Sequence, residues 1–199
     1  MHPRMEETLE YLDSQRAALR EAVELVPPTQ RDQQPGPDRW SVAQVLDHLA
    51  MIEKRVTMLL SKRIAGARAA GIEPETETGS LLNSIPTPRI VDRTQRVSAP
   101  AEVRPESNMD AATAWAELEQ CSAALQAAAL TGDGLALSKV MHTHPILGEI
   151  NLYQWMLFVG SHKARHVAQV REIAEQLKSS STQATSASAD YTEQKAVKQ

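Results

Sequence analysis

Residues 152–177 read LYQWMLFVGSHKARHVAQVREIAEQL, and the fold turns on how that stretch is wound. At about 100° per residue, Leu152, Trp155, Val159, His162, His166, Val170, Ile173 and Leu177 fall within a sector of roughly 60° on a helical wheel. The spacing predicts a helix from about Gly148 to Lys178 whose apolar stripe is interrupted by two histidines, His162 and His166, four residues apart on one face.

Three more helical patterns precede it. Met5, Leu9, Leu12, Leu19, Val23 and Val26 recur at steps built from three and four until Pro27 and Pro28 end the run. Ser41, with Gln44 three residues on, reads as a capping box opening a second helix. Its broad apolar face carries Val42, Val45, Leu46, Leu49, Ile52, Val56, Leu59 and Leu60, and it fades between Gly66 and Gly71. A third helix is expected from about Asp110 to Leu130, with Trp115, Leu118, Cys121, Leu125 and Leu130 turned inward and Thr131, Gly132, Asp133 and Gly134 stopping it.

Four helices of similar length predict an all-α domain over 1–178, a four-helix bundle. Helices two and three are separated by almost forty residues containing Pro74, Pro86, Pro88, Pro100 and Pro105. Such a proline-rich connection is long enough to return along the bundle, so that helices two and three run parallel, and to cover one end of it. Beyond Lys178 the Ser, Thr, Gln, Ala and Lys content predicts a disordered tail over 179–199.

Composition agrees with helix packing. Hydrophobic residues make up 42% of the 199, yet the aromatics amount to three Trp, three Tyr and one Phe, too few for a β-sandwich core. Twenty-one basic against 25 acidic residues give a formal charge of −4, which argues against nucleic acid or a membrane surface as partner. No apolar run reaches the roughly 18 residues of a membrane span. A lone Cys121 and an N-terminus without a signal-like apolar stretch lead to the expectation of a reducing cytoplasm.

Two imidazoles inside an apolar stripe lose hydration unless their nitrogens find partners, and no Asp or Glu shares their sector. A divalent ion would supply that partner, since helical histidines at i and i+4 suit zinc and related metals. Core histidines bonded to backbone carbonyls or water are the alternative. His48, flanking the core stripe of helix two, is the natural third ligand. His142 and His144 stand just before helix four, as a fourth ligand, an outer partner or loop residues. Asp47 and Glu53 project about 100° and 140° away from His48 and read as solvated surface charges. Trp40 is expected to staple the start of helix two or to wall the pocket, Trp155 to pack in the core, and Arg165 to be a surface residue or an anion contact at the rim.

The stretch Trp40-Ser41-Val42-Ala43-Gln44-Val45-Leu46-Asp47-His48-Leu49, followed much later by His144-Pro145-Ile146-Leu147-Gly148-Glu149-Ile150 and then by His162 to His166, resembles the DinB-like, or DinB/YfiT-like, superfamily of metal-dependent enzymes. Val97 to Pro105 is similar to that family's segment before helix three, and the resemblance spans about residues 5 to 178. It implies a bundle of up-down-down-up topology and a divalent ion, zinc or nickel first among candidates, held by His48, His162 and His166. It also implies frequent homodimers, and either hydrolysis or S-transfer with a low-molecular-weight thiol. A non-catalytic, stress-associated metal-binding protein of the same fold is the alternative. Three protein ligands leave an open position, as catalytic sites do.

Overall fold

Among the described residues, five α-helices, three short 3-10 turns and one hairpin build the chain. The computed structural model describes residues 1–94, 98–105 and 109–196, those after 179 by backbone alone. Helix α1 (Pro3–Glu24) opens on a His2 cap with proline in its first turn, and α2 (Val42–Ala69) carries the expected capping box. Gln44 N–H donates to Ser41 Oγ at 3.2 Å while Ser41 N–H donates to Gln44 Oε1 at 3.0 Å. The predicted third helix is α4 (Ala111–Leu130), capped by Asp110, and the fourth is α5 (Leu152–Ala196); Leu130, expected to face inward, is exposed where α4 ends. The long connection holds a short helix, α3 (Thr87–Val91), which packs on α5. The tail expected to be disordered falls mostly on residues whose side chains lie outside the description.

The start of α5 departs from expectation. Residues predicted to begin the helix near Gly148 instead form strand β2 (Gly148–Asn151), antiparallel to β1 (Met141–His144), with His144 opposite Gly148. Gly148 has φ +74°, a conformation that glycine adopts without the penalty a side chain imposes, and it closes the turn between the two strands.

Packing pairs α2 with α4 and α1 with α5, and α2 meets α5 as well. The apolar core falls into two lobes. One gathers Met5, Leu60, Ile64, Leu125, Leu152 and Met156, the other Leu19, Val45, Leu46, Leu118, Val170 and Leu177. Along α1 and α5 the chain passes from the first lobe to the second; along α2 and α4 it passes from the second to the first.

Between the lobes each helix contributes polar residues. Lys163 Nζ lies 2.7 Å from Glu53 Oε1, both side chains almost fully buried, and Ser122 Oγ donates to Glu53 Oε2 at 2.7 Å. Glu53 is therefore the opposite of the solvated charge its sequence position suggested, and Asp47 is buried too. Helical spacing placed both correctly off the His48 direction but could not show which neighbour covers that side. At the same level Tyr11 and Ser161 hydroxyls meet at 3.0 Å. A Cβ on Gly160 would come within 2.4 Å of Tyr11 Cε1, so α1 and α5 approach each other where only hydrogen fits.

Removing one partner of a buried ion pair leaves the other charge without compensation, whereas removing both does not. Lys163→Met is expected to destabilise the fold by about 3–5 kcal/mol in chemical denaturation, and adding Glu53→Leu to recover most of that loss.

Candidate metal centre

On a neighbouring face of α5 from the ion pair stand the histidines. Helix α2 supplies His48 from its second turn, and α5 supplies His162 and His166 from the segment between the two apolar lobes. One ring nitrogen from each lies within 4.8 Å of the others. His48 Nε2 is 3.0 Å from His162 Nε2, and His166 Nε2 is 3.2 Å from it. Among the described residues no Cys, Asp, Glu or further His joins the group.

Proton counting shows why these two contacts cannot both be ordinary hydrogen bonds. His48 Nδ1 stands 2.6 Å from the Val103 carbonyl oxygen, which only accepts, so the neutral ring carries its proton there and Nε2 presents a lone pair. His166 Nδ1 stands 2.9 Å from Gln169 Oε1, with the same result. His162 Nε2 lies between those two lone pairs and has at most one proton to give. At least one of the two close contacts is therefore lone pair against lone pair, an arrangement a cation resolves. Nitrogens sharing one tetrahedral zinc-sized ion at about 2.0–2.1 Å stand about 3.3–3.4 Å apart, so the 3.0 and 3.2 Å separations from His162 Nε2 need widen only by a few tenths of an ångström to admit it. The donor set fits a divalent metal.

Electrostatics point the same way. Desolvation, and then the neighbouring imidazole of His48, push the His162 pKa down to about 3, although the ring keeps intermediate exposure. Burial and then the adjacent His162 hold His166 well below its ordinary value, and burial lowers His48 against the opposing pull of the Val103 carbonyl. All three rings are thus neutral and ready to ligate near neutral pH.

The surroundings separate the remaining sequence expectations. Trp40 lies with its ring centroid 5.0 Å from that of His48 and stacks at 6.3 Å on His166, so it walls the cluster. His144 stays outside. Its Nδ1 accepts the amide N–H groups of Ile146 and Leu147 at 3.1 and 3.2 Å, closing the hairpin turn, while its ring meets Phe158 at 4.2 Å. Phe158 in turn stacks on His162 at 5.5 Å. His142 pairs with Arg63 Nη2 at 2.5 Å. Trp155 is a core residue, its indole N–H donating to the His142 carbonyl at 3.2 Å. Arg165 is half-buried and donates to the carbonyls of Ile90 and Asp92.

Sequence reasoning missed the outer partners of the ligands. Val103 acts through its backbone and leaves no side-chain signal. Gln169, one turn beyond His166, was within reach of spacing arguments. It also accepts from Arg93 Nη1 at 3.3 Å, and Arg93 is gripped by both carboxylate oxygens of Glu172 at 2.8 and 2.7 Å. Val103 and Arg93 both come from the long connection.

The sequence matches the DinB superfamily over residues 5–170. The chain belongs to the DinB superfamily. Members of that superfamily generally bind metal, in keeping with the cluster's donor set. Over 147 residues the chain is 28% identical to the uncharacterized protein YuaE of Bacillus subtilis (strain 168), covering 73% of this chain and 84% of that protein. No solved structure matches it significantly.

The lowered pKa values set a pH dependence for the metal-free protein. Below about 6.5 the unfolded chain binds more protons on these rings than the folded chain does, so stability is retained above that pH and falls as pH drops toward 3, where His162 titrates in the folded chain. Thermal melts in chelator are expected to show the midpoint decreasing between pH 7 and 5, and the His48→Gln/His162→Gln/His166→Gln variant to flatten that slope.

Proposed function

We propose that this DinB-superfamily chain is a divalent-metal-dependent enzyme. In this reading His48, His162 and His166 hold zinc or nickel, and the reaction is hydrolysis or S-transfer, with a low-molecular-weight thiol as the leading substrate class. The observation that carries the proposal is the convergence of three Nε2 atoms with one proton at most to share between two contacts. The fold that goes with it is a four-helix bundle of up-down-down-up topology. Its support is the order in which α1, α2, α4 and α5 traverse the two core lobes.

When bound, such an ion supplies Lewis acidity that lowers the pKa of a water or thiol nucleophile toward neutrality. The chain's own groups bias what is taken in. Three neutral imidazoles leave a dication's charge uncompensated, and no carboxylate among the described residues stands in the cluster to offset it. Arg93 and Arg165 add positive potential nearby, each lowering the pKa of one of the α5 histidines. An anionic nucleophile, thiolate or hydroxide, is favoured by that field. Trp40 covers one side of His48 and His166 and keeps water from that face. With His144 outside the cluster, no fourth protein donor stands there among the described residues, and an open coordination position is what an enzyme needs and a purely structural site does not.

Metal content by mass spectrometry, on untagged protein purified without chelator, is expected to be near-stoichiometric and to be lost in His48→Ala, His162→Ala and His166→Ala. Absence of metal even after reconstitution would overturn the site. A loaded protein that turns over neither ester and amide substrates nor thiol-conjugation pairs would leave metal binding standing and remove the enzymatic part.

A further inference from the structure

A histidine can ligate only through a nitrogen that carries no proton, so a metal site requires a particular tautomer of each ring. For His48 the choice is made by a backbone carbonyl, an acceptor that cannot become a donor. For His166 it is made by the side-chain amide of Gln169, and an amide has two ends. Turned one way it offers oxygen to Nδ1, which then carries the proton and leaves Nε2 bare. Turned the other way it offers NH2, which places the proton on Nε2, where the metal should be. Nothing in Gln169 itself decides between them.

Arg93 breaks the tie. Its guanidinium only donates, and Nη1 reaches the same Gln169 Oε1, at 3.3 Å, that faces His166 Nδ1 at 2.9 Å. A reversed amide would set NH2 against the guanidinium. Arg93 is itself aimed by the fork of bonds from Nε and Nη2 to Glu172 Oε1 and Oε2, at 2.8 and 2.7 Å. Glu172 and Gln169 lie three residues apart on the same face of α5, so one helix presents both the anchor for Arg93 and the amide it orients. We propose that Arg93 is a positioning residue for the metal centre: by fixing the Gln169 amide it selects the His166 tautomer whose Nε2 is open to a metal.

This role presupposes the metal site proposed above, and the two are separable by experiment. In metal-free protein, nitrogen-15 NMR of the imidazoles is expected to show His166 protonated at Nδ1. In Arg93→Met the ring is expected to become a mixture or to shift its proton to Nε2. Zinc affinity, measured by chelator competition, is expected to fall about ten- to hundredfold. A glutamate at position 169 accepts through both oxygens and has no wrong end. Arg93→Met/Gln169→Glu should therefore regain both the Nδ1 tautomer and most of the affinity, a rescue that a merely structural contribution of Arg93 would not give. Gln169→Leu, with Arg93 intact, should lose the tautomer preference and provides the same readout if Arg93→Met fails to fold. Retention of the Nδ1 tautomer and wild-type zinc affinity in Arg93→Met, or failure of the glutamate to rescue, would overturn the role of Arg93. A wild type that binds no zinc would overturn the metal site, while the tautomer measurement on metal-free protein would still judge Arg93.

Discussion

The Glu53–Lys163 ion pair is the constraint around which the rest of the helical core is arranged. A carboxylate and an ammonium this deeply buried tolerate only a matched geometry, because neither can turn to water if the helices slide. The pair therefore fixes α2 against α5 in both rotation and translation. Glu53 follows His48 by five residues and Lys163 directly follows His162, so the same register that joins the charges brings the imidazoles together on the neighbouring face of α5. Ser122 ties α4 into the same level, and the Gly160–Tyr11 contact lets α1 close on α5. The polar layer divides the apolar core into two lobes, each able to pack conventionally.

That arrangement places unlike polar groups on two adjacent faces of one helix. Towards Glu53 the charges are paired within the chain. Towards Trp40 the imidazoles are too many for the protons they hold, and the shortage is local, since Val103 and Gln169 have already taken the Nδ1 protons of the outer two rings. The first side is complete without any added group; the second is not. Such a contrast within a single turn of helix separates a structural polar cluster from one suited to a ligand.

Much of this was readable in the chain before folding. Periodicity gave α1, α2 and α4 within a few residues, because their apolar faces are continuous and their ends are marked by proline, by the Ser41–Gln44 box and by Asp110. The histidine pair was legible for the same reason: a stripe of period 3.6 makes two polar members conspicuous. The beginning of α5 was not, since a four-residue strand held by a glycine turn has too little pattern to outweigh the helix that follows it. Glu53 was misread because a helical wheel gives direction without saying what lies there, and here the covering group is a lysine from a helix about a hundred residues away in sequence. Arg93 carried no signal at all. Its importance comes from one amide oxygen that it shares with a ring nitrogen, a relation created only by tertiary structure.

The partner of His48 differs from that of His166 in being main chain. What position 103 contributes is a carbonyl in the right place, and every amino acid possesses one. Replacement of Val103 by another apolar residue that fits its buried niche would preserve the bond, whereas inserting or deleting a single residue between α3 and α4 would displace it. Inheritance at this point acts on the length and course of the segment and hardly on its letters. Two relatives could differ at every side chain there and still hold His48 in the same tautomer.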